Sequence, residues 1–481
     1  MRLTADMWGD FPVILHYTAA LAVSARVLMR PRLEPSVRLA WILVIEVLPL
    51  VGILSYVLFG EIRIRRADLQ KRRDVRDRLT GRWRPGPHDL NRVPGPAAAV
   101  VAANRAVGGL PAVDGNDIHL LPEDDRAIDV LVAEIEAARD HVHLLFYIWL
   151  PDGSGRRVAQ AAIAAAGRGV AVRVIVDAFG SRPLLRSGWW GAMRDAGVDC
   201  RTALPLVYPV FTMLFQRLDL RNHRKAVVID GRVAFAGSRN CADMDFAVKP
   251  RFSPWIDVMV RIEGPAVRQV QAAFLADWIS YTGHDLGHML DAVQPGSRGG
   301  AIAQVVATGP DRRQGSISDC MVTMIHAARR RLVIATPYYV PDAALDAAVR
   351  SAARRGVEVV MILPERNDSL LVAAVSEGFW GGLASAGVRL HLFRGGLLHA
   401  KIISVDGQMA MLGSANLDRR SFELNYELNI LVVDPVLTGE LGERQRSYLA
   451  RSRPLSPDDI RRWPWWRRLR NNILALASPL L

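Results

Sequence analysis

His223 to Asn240 reads HRKAVVIDGRVAFAGSRN, and His399 to Asn416 reads HAKIISVDGQMAMLGSAN. Aligned on their histidines, the two stretches share His223 with His399, Lys225 with Lys401, Asp230 with Asp406, Gly231 with Gly407, Gly237 with Gly413, Ser238 with Ser414, and Asn240 with Asn416. In each, an apolar run, an Asp-Gly pair and a second apolar run predict a β-hairpin closed by a tight turn. Histidine and lysine stand two residues apart, so they share one strand face. The lysines carry extra weight because Lys71, Lys225, Lys249 and Lys401 are the only lysines among 61 basic residues. A chain that otherwise uses arginine keeps a compact ammonium at both motif positions, as suits a point charge aimed at one phosphate oxygen rather than a planar guanidinium fork.

Other residues follow from that reading. Gly237 and Gly413 are expected to let backbone approach a phosphate, and Ser238, Asn240, Ser414 and Asn416 to hydrogen-bond its oxygens. Asp230 and Asp406 sit at the turns, where Asp is a turn former. A lone histidine would read as a packed core residue, but two in matching surroundings point to chemistry.

The repeat extends beyond the motifs. AARDHVHLLFYIWLPD from Ala137 parallels AARRRLVIATPYYVPD from Ala327, and AAAGRGVAVRVIVD ending at Asp177 parallels SAARRGVEVVMILP ending at Pro364. Each unit is a helix, a β-branched strand and a turn. Two α/β halves follow, 114–293 and 301–450, with a mostly parallel or mixed sheet covered by helices and a pseudo-twofold relation that brings equivalent residues face to face. The turn-rich QPGSRGG from Gln294 to Gly300 separates them. Residues 61–113 read as a basic segment followed by a Pro-, Gly- and Ala-rich linker.

At the N-terminus, residues 1–60 contain two apolar runs, Phe11–Ala25 and Leu39–Gly60, the second with Glu46 as its only charge. A run of about 20 apolar residues spans a bilayer core, so a transmembrane hairpin is expected. Ten basic residues between Arg63 and Arg84 place that side in the cytoplasm by the positive-inside rule, although Arg26, Arg30, Arg32 and Arg38 lie between the runs. At 451–481, Trp463, Trp465 and Trp466 beside arginines and an apolar tail read as an interfacial anchor. The net charge of +13 fits an anionic partner, lipid surface or nucleic acid alike. Three scattered cysteines, Cys200, Cys241 and Cys320, indicate neither a disulfide framework nor a zinc ribbon. His284 and His288 have helical i, i+4 spacing but no evident third ligand, so no metal is expected.

The duplicated H-x-K-x4-D with its G-S-x-N extension resembles the phospholipase D superfamily over roughly Asp114–Asp434. Within it the chain looks like the bacterial cardiolipin synthases, through the paired N-terminal apolar runs, WIDVMVRIEGPAV from Trp255, ATPYYVPD from Ala335, NLDRRSFELNYELN from Asn416 and the C-terminal SPLL. Glu46 and the GSRNCADMDF segment depart from the family pattern. The resemblance implies a catalytic set of His223, Lys225, Asp230, His399, Lys401 and Asp406, in which one histidine attacks phosphorus and the other shuttles the proton. By superfamily analogy His223 is the nucleophile. Acidic partners orient the imidazoles, with Asp257 expected on His223 and Glu427 on His399.

The implied reaction moves a phosphatidyl group from one phosphatidylglycerol to another and releases glycerol, without nucleotide, metal or other cofactor. A hydrolytic or headgroup-exchanging phospholipase D uses the same chemistry. A nucleic-acid phosphodiesterase would suit the charge but needs no membrane segments, so the expected partners are phospholipid and membrane, with no nucleic acid. A scaffold with decayed motifs is disfavoured because both motifs are intact.

Overall fold

The structure, a computed structural model, describes residues 3–30, 33–48, 50–61, 66–83, 89–90, 93, 95–205, 220–292, 296–311 and 315–475. Its centre is one mixed sheet of 16 strands among these residues. The first half contributes β1 (Ala112–Leu120), β2 (His141–Phe146), β3 (Ala171–Asp177), β4 (Asp199–Ala203), β5 (Ala226–Ile229), β6 (Val233–Gly237) and β7 (Met259–Glu263). The second contributes β8 (Ala301–Thr308), β9 (Arg331–Ala335), β10 (Glu358–Pro364), β11 (Arg389–Phe393), β12 (Ile402–Val405), β13 (Met409–Gly413) and β14 (Glu427–Val433). The spatial order is β4-β3-β2-β5-β6-β7-β1 and then β8-β14-β13-β12-β9-β10-β11, the same sequence of strands read outward from the centre. In each half the outer three strands are parallel and the inner four antiparallel. Antiparallel pairing of β1 with β8 joins the halves, so the pseudo-twofold axis passes between these strands.

Helices cover both faces, which is why most strands read as nearly continuous apolar runs rather than alternating ones. On one face the helices Ala266–Thr282 and Pro435–Ala450 pack over a core shared by both halves, built from residues such as Val228, Val260, Phe274, Ile402, Leu428 and Leu441. On the other face Arg126–Glu136 and Gly153–Gly167 cover the first half, and Ser316–Ala327 and Ala343–Arg354 the second.

Several expectations need correction. The second apolar run is not one helix: Pro35–Val47 ends, Leu50 takes a left-handed φ of 59°, and a short helix Val51–Ser55 runs into a π turn, Tyr56–Gly60. The break falls at the proline of Leu48-Pro49-Leu50, where an amide donor is missing from the chain. Pro49 itself, like Arg32, lies outside the described residues. The first helix, Leu3–Leu28, carries Asp6 and Asp10 in its early turns. No helix among the described residues is long and apolar enough to cross a membrane. The helices instead pair through Ala20, Val27, Val37, Trp41, Ile45 and Tyr56, and leave Ile14, Leu21, Leu39, Leu43, Leu54 and Phe59 exposed. Glu46 accepts a hydrogen bond from Ser24 Oγ at 2.9 Å, which explains how a carboxylate is tolerated there.

Nor is the stretch from Arg84 to Pro111 a linker throughout, and the basic segment before it is packed. Helix Arg66–Gly81 buries Val75 and Leu79 in the central core, and helix Ala97–Gly108 buries Val100 and Val101 against the second half. Short Ala and Val side chains allow this close approach without an obvious amphipathic period. Residues 62–65, 84–88, 91–92 and 94 lie outside the described set. At the other end, Ser452–Leu455 (β15) extends the sheet beside β11, so the second half runs past residue 450. The helix Trp465–Ala475 docks through Arg467 and Asn471 on Glu377 and turns Trp465, Trp466, Leu469 and Ile473 outward. The final SPLL, and Gln294 with Pro295 of the connector, lie outside the described residues.

Candidate active site

Both predicted hairpins are present, with Asp230 and Gly231 at φ 53° and 58°, and Asp406 and Gly407 at 55° and 67°. Two successive positive φ values are those of a type I′ turn, which Asp-Gly adopts readily. Each histidine stands three residues before the first strand of its hairpin and lies in a short bridge to the opposite half. His223 N donates to Tyr426 O at 2.9 Å, beside an Asn222–Tyr426 bridge. His399 N donates to Ile256 O at 2.8 Å, after Leu397–Leu398 pairs in parallel with Trp255–Ile256.

These bridges decide the carboxylate partners, and they reverse the expected assignment. His223 Nδ1 lies 3.0 Å from Glu427 Oε2, and His399 Nδ1 lies 2.7 Å from Asp257 Oδ1. Each half lends its carboxylate to the other half's histidine, because residue 427 follows the bridged residue 426 just as 223 follows 222. With Nδ1 occupied, the Nε2 atom of each ring is left for chemistry.

The serines hydrogen-bond these same carboxylates. Ser238 Oγ donates to Asp257 Oδ1 at 2.5 Å and accepts from Val258 N at 2.9 Å. Ser414 Oγ donates to Glu427 and accepts from Leu428 N at 2.9 Å. Gly237 and Gly413 likewise answer to the neighbouring strand: an added Cβ would stand 2.2 Å from Val258 O or 2.4 Å from Leu428 O. Asn240 Oδ1 accepts from Ile148 N at 3.2 Å, whereas the buried Asn416 Oδ1 has no hydrogen-bond partner among the described residues.

Lys225 is fully buried, and its Nζ donates to His223 O at 2.6 Å; Lys401 Nζ donates to His399 O at 2.5 Å. Burial pulls the Lys225 ammonium down to about 7 and that of Lys401 to about 8, against the pull of Glu427 and Asp257. Burial, helped by the lysines, lowers His223 to about 4 and lowers His399 as well, so both rings are neutral at pH 7. Burial alone would raise both carboxyls, but the facing histidines, lysines and serines hold Glu427 and Asp257 below the usual range. The crossed carboxylates tie both histidines, and the lysines bonded to their carbonyls, to the seam between the halves.

Asp230 and Asp406 do not belong to that locus. Each stands at the far end of its hairpin, where Asp230 accepts from the backbone N–H of Arg139, Asp140 and His141, and Asp406 from Arg329, Arg330 and Arg331. Their grouping with the catalytic residues is corrected to a structural role in both halves. His284 and His288 are exposed beyond the end of helix Ala266–Thr282, so they do not share a helix face.

Compared with known proteins, residues 131–278 and 321–447 match the family described as cardiolipin synthase, PLD-like domain. The chain is 38% identical over 472 residues to cardiolipin synthase A of Yersinia pseudotuberculosis, covering 95% of this chain and 96% of the relative. The chain belongs to the cardiolipin synthase, PLD-like family. Cardiolipin synthase A of Cronobacter sakazakii is 37% identical over 495 residues, covering 98% of each chain. Residues 19–61 match a phospholipase D-nuclease N-terminal family. The crystal structure of phosphatidylserine synthase from Haemophilus influenzae matches in fold, with a TM-score of 0.58 at 14% identity over 79% of this chain and 99% of the other.

Sequence reasoning missed the residues that brace the site. The Tyr147 ring stands edge-on to His223 at 4.8 Å, and Trp255 lies 4.7 Å from the His399 ring. Asn425 Nδ2 donates to Glu427 Oε1 at 3.2 Å. Behind His223, Arg224 binds Asp277 at 2.8 Å, Thr308 O at 2.9 Å and Glu427 O at 3.2 Å. Arg72, from the basic helix, meets Asp277 at 3.4 Å and stacks over Tyr426 at 4.5 Å. Trp255 and Asn425 each lie two residues before an orienting carboxylate, a signal present in the sequence. The Arg72 contact left none.

Proposed function

We propose that this chain makes cardiolipin by transferring the phosphatidyl group of one phosphatidylglycerol to the terminal hydroxyl of another, with release of glycerol. The observation that carries it is the crossed pair of histidines, each held at Nδ1 by a carboxylate of the opposite half and flanked by two buried lysines. The extent of identity to cardiolipin synthase A supports the choice of substrate.

In the first step His223 Nε2 attacks phosphorus, the P–O bond to glycerol breaks, and the departing oxygen takes a proton from His399 Nε2. His399 enters this step protonated, a state favoured when an anionic phosphodiester and Asp257 face it together. In the second step His399 removes a proton from the acceptor hydroxyl, whose oxygen displaces the His223 nitrogen. Lys225 and Lys401 oppose the charge on the non-bridging oxygens, and Asn240 and Asn416 supply further polar contacts. One phosphodiester replaces another, so no nucleotide enters the balance.

The protein associates with the bacterial cell membrane, with the catalytic part on the cytoplasmic side. The unpartnered apolar exterior of the N-terminal helices and the outward row of Trp465, Trp466, Leu469 and Ile473 support that placement.

The test is incubation of the purified full-length protein with phosphatidylglycerol vesicles alone. Cardiolipin and glycerol in equal amounts are expected. Phosphatidic acid as the main product would overturn the reading in favour of hydrolysis.

A further inference from the structure

Of the four lysines, two lie in the site and Lys71 donates to Ser280 O at 2.9 Å. The fourth, Lys249, reaches from the first half to the second, where its Nζ lies 2.5 Å from Asp368 Oδ2. Tyr338 OH donates to Asp368 Oδ1 at 2.6 Å. The Asp368 side chain is 4% exposed, whereas that of Lys249 is 40% exposed. A carboxylate buried under two donors thus holds a lysine side chain that stays partly exposed.

This group lies on the His399 side of the site, linked to that ring through Phe246 and Trp255. The charges of His399 and Asp368 act on each other, and Asp368 also acts on Lys401. Phe246, three residues before Lys249, stacks at 4.0 Å on Trp255, which covers the His399 ring. Among the described residues the first half does not repeat this partly exposed lysine. In the internal alignment Tyr338 corresponds to Ile148, and the carboxylate on that side is Asp177 at the end of β3, whose oxygens accept from Phe179, Gly180 and Asn222 N–H groups and lie 3.7 Å from Arg221, a cation buried with it at 6% exposure.

The reaction is equally lopsided. If His223 forms the covalent bond, both the departing glycerol and the incoming alcohol lie on the opposite side of phosphorus, beside His399. Glycerol and water are neutral, but a phosphatidylglycerol acceptor brings its own phosphodiester, separated from the attacking hydroxyl by a three-carbon unit. That second anion needs a cation just outside the reacting centre, on the His399 side.

We propose that Lys249, fixed by Asp368 and Tyr338, binds the phosphodiester of the acceptor lipid and thereby favours a lipid acceptor over a neutral one. An ammonium has three donors, so those directed at Asp368 leave room for a phosphate oxygen. The inference rests on the cardiolipin-forming reading of the site.

The experiment compares full-length wild type, Lys249→Ala and Lys249→Arg in phosphatidylglycerol vesicles with labelled glycerol present. Two products are followed: cardiolipin, and labelled phosphatidylglycerol formed by exchange with free glycerol. Lys249→Ala is expected to lower the ratio of cardiolipin to exchange by about tenfold or more, the loss of one charge-assisted hydrogen bond, with Lys249→Arg retaining most of it. A ratio that stays at the wild-type value, whether both activities fall together or neither falls, would overturn the assignment. Exchange without cardiolipin in the wild type would instead overturn the reading on which it rests.

Discussion

Glu427 Oε2 lies 3.0 Å from Nδ1 of His223, although 204 positions of chain and the whole β8–β13 segment separate them. Asp257 and His399 repeat the relation in the other direction. The two histidines therefore differ in which carboxylate sustains which chemical role, and that difference is measurable.

With His223 as nucleophile, Glu427→Gln is expected to remove activity by on the order of 10³-fold or more, since a neutral amide no longer supports the imidazole. Asp257→Asn should behave similarly on phosphatidylglycerol. A phosphatidyl ester of p-nitrophenol separates them, because its leaving group needs no proton: Asp257→Asn still gives a burst of nitrophenol and Glu427→Gln does not. A burst in Glu427→Gln alone would assign the nucleophile to His399.

The pH profile of kcat/KM follows the ligand-free groups. His223, lowered to about 4, remains a neutral nucleophile down to that pH. Lys225 and Lys401, at about 7 and about 8, lose their charge as pH rises through that interval, so fewer cations meet the phosphate. The expected result is a fall in kcat/KM above pH 7, with kcat flatter because bound phosphate keeps the ammoniums protonated. A kcat/KM that rises from pH 7 to 9 would contradict it.

Asp230→Ala and Asp406→Ala should act on stability rather than chemistry. Each removes an acceptor from three backbone N–H groups, at a cost of about 1–3 kcal/mol by urea titration. The specific activity of the folded fraction should stay within about twofold of wild type. A collapse of activity in fully folded protein would return these residues to the catalytic set.

Ser238→Ala and Ser414→Ala loosen the carboxylates instead of the phosphate. The expected effect is a ~10–100-fold fall in kcat with little change in KM, as for other groups that hold a functional ligand in place. A rise in KM at constant kcat would identify the serines as phosphate ligands after all.

What was legible in the sequence was the part that repeats locally. The hairpins follow from spacing and periodicity, and the identity of Asp257 and Glu427 as orienting carboxylates from the family resemblance. The pairing was not legible, because it depends on one bridge at Asn222–Tyr426 and a two-residue pairing of Leu397–Leu398 with Trp255–Ile256, short contacts between distant segments with no local pattern. The contacts of Ser238 and Gly237 were not legible for a related reason: their partners, Asp257 and Val258, come from the segment leading into β7. In the N-terminal region, apolar content outweighed the proline in Leu48-Pro49-Leu50, where the helix breaks. Helix Ala97–Gly108 was hidden by its own composition, since an Ala- and Val-rich segment shows little polar contrast.

The exchange of carboxylates also sets a timetable for synthesis. As the chain leaves the ribosome, the first motif emerges with its histidine and lysine but without Glu427, and the second histidine stays out of place until Leu397–Leu398 docks beside Trp255–Ile256. No fragment ending before residue 427 contains a finished centre. A nascent or truncated product therefore lacks the means to cleave lipid, and competence arrives in a single late event, when the second half closes on the first.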